Sequence, residues 1–251
     1  MNISGLIITY NEEKNIAKCI DSLRLVCDEI IVIDSFSKDD TAAIAKAEGA
    51  IVVLQEFLGD GPQRIFGVPY CKNDWILNLD ADEFLDTDSI EFIKNKWDYG
   101  AKWDAYSFKV KNFLQDELIN FAGWYPDRKI RFFNKKTASP SSDIVHQRVI
   151  CQHLKQENVH LLHYGSNSLH QIIEKKNTYA VWSAKKLYDS GVRVSYLKPV
   201  VNGLVSFLRC YFFKSGIFHG INGLTLSLTQ GYFSYLKYAN LLFLQNGKKI
   251  H

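Results

Sequence analysis

The chain has 251 residues, of which 47% are apolar and 23% charged, and its formal net charge is +3. Those proportions are those of a soluble globular protein, and they exclude a disordered, collagenous or polytopic membrane chain. The length predicts one large domain, or one with a small appendage, able to bury a core without disulfides or structural zinc.

The first 85 residues read as alternating strands and helices. Ile3 to Ile8 is a short apolar strand, and Glu12 to Val26 carries Ile16, Ile20 and Leu23 at helical spacing. Glu29 to Ile33 is a second strand ending in Asp34. Asp39 to Glu48 is an Ala-rich helix closed by Gly49, and Ala50 to Leu54 is a third strand. Gly61 to Tyr70 reads as a helix with Pro62 in its first turn. Trp75 to Leu79 is a fourth strand that runs into Asp80-Ala81-Asp82-Glu83. This alternation predicts an α/β fold with a mostly parallel sheet covered on both faces. Ligands of such sheets bind beyond the carboxyl ends of the strands. Thr9, Tyr10, Asn11 and Glu12, then Asp34, then Asp80 and Asp82, all stand at those ends.

From about residue 100 to 165 the pattern turns to loops and the strands Ala105–Val110, Lys129–Phe133 and Val159–His163. Residues 168–190 predict a polar helix, Pro199 a break, and 200–214 and 222–245 apolar-rich helices. Residues 190–251 carry seven basic side chains and no Asp or Glu, whereas residues 1–189 have a balance of −4. A basic, aromatic, acid-free tail predicts attraction to an anionic surface, a membrane rather than nucleic acid. Residues 215–236 lack any charge over a length that could span a bilayer. Four glycines, Asn222 and Gln230 within that run favour helices lying in the membrane surface, with a packing or dimer helix pair as the alternative. Cys19, Cys27, Cys71, Cys151 and Cys210 include no Cys-x-x-Cys pair, which suits a reducing cytoplasm. Ile3–Tyr10 is too short for a secretory apolar region, so the protein is expected to stay on the side of the membrane where it is made.

Asp80-x-Asp82 is the sharpest chemical feature. Two carboxylates two residues apart on an extended segment point the same way and repel unless a cation lies beside them. A hard divalent ion, Mg²⁺ or Mn²⁺, which keeps room for substrate phosphates, fits that pair. The alternative is an acidic turn capping a helix at Asp86-Thr87-Asp88. Asp34 could accept a hydrogen bond from an imide N–H such as that of uracil, or simply cap the next helix. Arg64, in the loop Gly59 to Arg64, could meet a phosphate or be solvated. There is neither a Walker loop nor a dinucleotide fingerprint.

The stretches Ile7-Ile8-Thr9-Tyr10-Asn11-Glu12-Glu13, Ile31-Val32-Ile33-Asp34-Ser35 and Asn78-Leu79-Asp80-Ala81-Asp82-Glu83 resemble the family 2 glycosyltransferases of GT-A nucleotide-sugar fold. Gly123 to Asp127, Arg131-Phe132-Phe133, Val145-His146 and Leu162-His163-Tyr164 are similar to bacterial lipopolysaccharide inner-core β-glucosyltransferases. The likeness runs over essentially the whole chain. It implies that Thr9, Glu12 and Asp34 contact uridine, with Tyr10, Asn11 and Arg64 also at the nucleotide sugar. It further implies that Asp80 reaches the ribose or the metal's water shell. Asp82 would bind the metal, and His163 would be a further metal or diphosphate contact unless it is a satisfied strand histidine. Family members invert the anomeric centre. A single displacement needs a carboxylate to deprotonate the acceptor on the face opposite the diphosphate. Asp127 is the candidate, a surface turn being the alternative. Relatives usually carry Glu where Gln147 stands, and Asp143 would be a poor substitute for it. Ile65 also replaces a residue that is often polar.

The expectation is therefore a catalytic domain over 1–190, with a nucleotide-sugar half to about 100 and an acceptor half beyond it. A helical region, 191–251, would associate with the membrane. The expected activity is metal-dependent, inverting transfer of a hexose, glucose from UDP-glucose, to an inner-core heptose of a lipid-linked acceptor. The enzyme would be peripheral at the inner face of the cell membrane, bind no nucleic acid, and could form a homo-oligomer. The rival readings are a transferase acting on a polyprenyl-phosphate-linked acceptor and a non-catalytic nucleotide-sugar-binding protein.

Overall fold

The structure is a computed structural model and describes residues 2–97, 102–114, 117–121, 123–143, 148–166 and 168–250. Val145, His146 and Gln147 lie outside the described residues. The chain forms two compact units, residues 1–112 with 126–165, and residues 113–125 with 166–251.

The first unit begins β1 (Ile3–Thr9), α1 (Ile16–Arg24), β2 (Glu29–Asp34), α2 (Thr41–Ala47), β3 (Ile51–Leu54), α3 (Asp60–Gly67) and β4 (Trp75–Asp80). These four strands lie in the order β3-β2-β1-β4, and each neighbouring pair is parallel. A strand buried on both faces is an unbroken apolar run, and its alternate residues feed two cores. Ile3, Ile7, Val32, Leu77 and Leu79 pack with α1 through Ile16, Cys19, Ile20 and Leu23. Leu6, Ile31, Ile33 and Ile76 form the opposite core, with Phe66 of α3 packed against it.

The chain continues through β5 (Glu83–Leu85), α4 (Thr87–Glu91), β6 (Ala105–Leu114), β7 (Glu117–Ile119), β8 (Asp127–Asn134), the two-residue β9 (Ser139–Pro140) and β10 (Val149–Ile150), and β11 (Leu154–Ser166). The sheet extends past β4 in the order β8-β6-β11-β5. Here the pairings β4–β8, β6–β8 and β5–β11 are antiparallel. The parallel half is the one predicted, and the antiparallel half carries the alternating segments after residue 100. Because β8 runs against β4, its first residue, Asp127, lies toward the sheet edge where β4 ends.

The second unit contains α5 (Leu169–Asp189), α6 (Lys198–Leu208), a π-helical turn over Arg209–Phe213 and α7 (Gly220–Gln245). The predicted catalytic domain ran to 190, but α5 groups with the C-terminal helices. Ile119, Phe121, Ile172, Cys210 and Leu226 form a small core within this unit. The uncharged run 215–236 is not one helix: Ser215 is left-handed, at φ 62°, and a short 3₁₀ turn, Gly216–His219, precedes α7. Among the described residues no helix is long and apolar enough to cross a membrane.

Candidate active site

At the carboxyl edge of the parallel strands, Thr9 is paired with Asp34 and Ile8 with Asp80. The polar ends of β2, β1 and β4 therefore stand side by side. Asp34 is buried, and both its carboxylate oxygens accept from Ser37, one from the backbone N–H and one from the hydroxyl. Thr9 Oγ1 is buried without a hydrogen-bond partner. Asn11 is left-handed, at φ 53°. Its N–H donates to Ser37 Oγ and its side-chain carbonyl accepts from the Lys38 N–H, which ties the β1 and β2 loops together. Glu12 donates its N–H to Thr41 Oγ1 and accepts from the Asn15 side chain, while Tyr10 is half-exposed.

The carboxylates of Asp80 and Asp82 have different partners among the described residues. β4 ends at Asp80, and the turn through Ala81 and Asp82 breaks the two-residue alternation of a strand. Asp80 turns to two guanidinium groups. Arg64 pairs with its Oδ1 and also donates to Asn78 Oδ1 at 2.6 Å. Arg131 Nη2 donates to Asp80 Oδ2 at 2.6 Å and to Glu83 Oε1 at 2.7 Å. Glu83 is fully buried and also takes Lys129 Nζ at 2.9 Å and the Asp80 N–H at 3.2 Å. Arg64 is thus buried in an ion pair rather than solvated. Asp80 and Lys129 are the partly exposed members of this network, whereas Arg64, Arg131 and Glu83 are buried.

Burial alone would raise the Asp80 carboxyl. Arg131, then Arg64, then Lys129 outweigh it and hold Asp80 well below the usual carboxylate range. Glu83 follows the same logic: burial pushes it up, and Arg131 and Lys129 bring it below its ordinary value. Asp60, in the first turn of α3, is raised by burial and by the nearby Asp80.

Asp82 faces β11. The Tyr164 N–H donates to the Asp82 carbonyl at 2.9 Å, which sets this turn against the strand. His163 Nδ1–H donates to Asn112 Oδ1 at 2.6 Å, so Nε2 is the nitrogen that faces Asp82 Oδ2, 3.5 Å away. A carboxylate oxygen and an imidazole nitrogen so placed are two donor atoms for one cation, with a third residue fixing the ring. Gly165 keeps the approach open: a Cβ there would fall 2.3 Å from His163 Nε2 and 3.1 Å from Asp82 Oδ2. The residues present therefore fit a hard divalent ion.

A different Asp–Asp–His group, Asp86, Asp88 and His160, also has ligand atoms close enough to share a cation. Sequence reasoning did not single it out as a metal site. Asp86 already caps α4 through the Thr87 N–H and pairs with Lys111 at 2.8 Å. The acidic helix cap and the Asp80–Asp82 strand end are both real and belong to different residues. Asp127 opens β8 opposite Val110. Sequence reasoning missed Glu83, Arg131, Lys129, Asn78, Asn112 and Gly165. The alternation of Lys129 and Arg131 with Ile130 and Phe132 in β8 was the available signal for two of them.

The sequence model described as Glycosyl transferase family 2 matches residues 4–147. An uncharacterized glycosyltransferase of Rickettsia typhi is 33% identical over 259 residues, covering 95% of this chain and 86% of that protein. The chain belongs to glycosyltransferase family 2, and it is a glycosyltransferase with a GT-A-like fold. It is also 29% identical to the lipopolysaccharide core biosynthesis glycosyltransferase LpsC of Rhizobium meliloti, over 95% of this chain and 91% of that one. Among solved structures it is similar to glucosyl-3-phosphoglycerate synthase of Mycobacterium tuberculosis, solved with Mn²⁺, UDP-glucose and phosphoglyceric acid. That likeness has 30% identity over 44% of this chain and 43% of that one, with a TM-score of 0.34.

Proposed function

We propose that the protein transfers glucose from UDP-glucose, with inversion and a divalent metal, to an inner-core heptose of a lipopolysaccharide or lipooligosaccharide acceptor. The observation that carries this reading is the facing pair of Asp82 and His163, held by Asn112 and left accessible by Gly165. These two residues would hold Mg²⁺ or Mn²⁺, which, when bound, offsets charge on the departing diphosphate. Thr9, Tyr10, Asn11, Glu12 and Asp34 would receive the uridine. The buried, unpartnered Thr9 hydroxyl favours a ligand there, because a buried polar atom without a partner is costly. Asp80 would meet the ribose or the ion's water shell, with Arg64 orienting it. Asp127 would take the proton from the acceptor hydroxyl. The name of the Rhizobium relative supports a lipopolysaccharide-core acceptor. An acceptor with a lipid anchor in turn calls for a peripheral protein at the inner face of the membrane, touching it through the basic C-terminal region.

The test is UDP release with a core-oligosaccharide acceptor in Mn²⁺ or Mg²⁺, and then in EDTA. Release that depends on both acceptor and metal is expected. Tight UDP binding with no turnover on any core or polyprenyl-linked acceptor would overturn the transfer reading and leave a nucleotide-sugar-binding protein.

A further inference from the structure

Helix α6 is amphipathic in the wrong sense for a helix facing water. Pro199, Gly203 and Cys210 lie along its buried side. Gly203 is held against α7, where an added Cβ would meet Tyr235 Cβ at 3.1 Å and the Gly231 carbonyl oxygen at 3.2 Å. That close approach fixes which side of α6 turns away from α7. At helical spacing, Leu197, Val201, Leu204, Val205 and Leu208 fall within an arc of about 100° opposite the buried side. All five are exposed, Leu197 at 72% and Leu204 at 57%. A solvated face would be polar. Beyond α6 the apolar character continues in Phe213 and Phe218, exposed by 85% and 82%.

We infer that this outward stripe of α6, with Phe213 and Phe218 beyond it, is inserted into the surface of an anionic lipid bilayer, with α6 lying in the membrane plane. The inference rests on the lipid-borne acceptor proposed above and names the face that meets the lipid. Charge identifies the occupant. Lys198 and Arg209 border the stripe and are exposed, Lys214 follows between the two phenylalanines, and residues 190–251 contain no acidic side chain. A second copy of the same surface would bring basic residue against basic residue with nothing to neutralise them. Anionic headgroups supply the missing negative charge, while the acyl boundary accepts the apolar stripe. No described helix could cross the bilayer, so the helix lies on the membrane rather than through it.

The experiment is co-sedimentation of the full chain with vesicles of phosphatidylcholine alone or mixed with phosphatidylglycerol. It is paired with UDP release on a delipidated, water-soluble core acceptor. The wild type is expected to pellet with the anionic vesicles and to be released by salt. Leu204→Glu is expected to lower vesicle partition about tenfold or more, with turnover on the soluble acceptor unchanged. Lys198→Glu/Arg209→Glu, which leaves the stripe intact, is expected to abolish the preference for anionic over neutral vesicles, and it serves as the test should Leu204→Glu fail to fold. Undiminished partition of both variants would overturn the inference while leaving the transferase reading intact. So would a wild-type dimer in vesicle-free buffer that Leu204→Glu converts to monomer. Vesicle binding that behaves as expected, with no turnover on the soluble acceptor, would instead count against the proposed transfer.

Discussion

Asp82→Asn is expected to cut turnover by about a thousandfold while leaving the fold unchanged. The substitution keeps the shape of the side chain and removes the charge that faces His163 Nε2 at 3.5 Å. A metal that neutralises a leaving diphosphate contributes several kcal/mol, and each 1.36 kcal/mol is tenfold in rate. Two neighbouring changes separate charge from geometry. Asn112→Leu removes the acceptor that sets the imidazole, and loss of such an outer hydrogen bond costs about 10–100-fold in metal affinity. Gly165→Ala adds one methyl group where His163 Nε2 would be 2.3 Å away, so it should block the ion with both ligands still present. Mn²⁺ titration by calorimetry, alongside UDP release, reads all three. Wild-type Mn²⁺ affinity in Asp82→Asn and Gly165→Ala together would remove the metal from this place in the molecule.

How much of this could be read from the linear chain depended on the range of the interaction. The parallel half was legible because Ile3–Ile8, Glu29–Ile33 and Trp75–Leu79 are local apolar runs, and a polar residue at the end of each marks the ligand edge. A strand's period says nothing about where the strand stops, so alternation alone did not place Asp82 in the turn after β4. Glu83 passed as part of an acidic turn although it is fully buried. Its partners Lys129 and Arg131 are 46 and 48 residues away. They alternate with Ile130 and Phe132 in the sequence, and only the tertiary fold places an anion in front of them. Asn112 and His163 are likewise joined over 51 residues. The family resemblance pointed to His163 where periodicity could not. In the C-terminal region, composition revealed the basic, apolar character. Which face of α6 is outward followed only from the packing of Gly203 on Gly231.

Arg131→Met is expected to be the most destabilising single change in the first unit. Arg131 is buried and bridges Asp80 and Glu83 with one nitrogen, so its loss leaves Glu83 in the interior with Lys129 as its one cationic partner among the contacts above. Breaking a buried pair from one side costs about 3–5 kcal/mol, or a melting temperature lowered by about 10 °C or more for a chain of this size. Arg131→Lys retains the charge without the planar fork and should fall between the two. Glu83→Gln is expected to be non-additive with Arg131→Met, because the double variant no longer buries the anion whose partner was removed. The acid limb gives an independent reading. Asp80 and Glu83 both titrate below their unfolded values in the native state, so the unfolded chain binds more protons across that window and stability rises with pH there. The contribution is complete at neutral pH. It declines once pH falls below the ordinary glutamate value of 4.5 and is lost as pH drops through the folded-state values. Thermal melts from neutral pH into that range should show a steep acid loss in the wild type and a shallower one in Arg131→Met. Equal slopes, or an Arg131→Met melting temperature within a degree or two of wild type, would mean that Asp80, Glu83, Lys129 and Arg131 do not act as a unit.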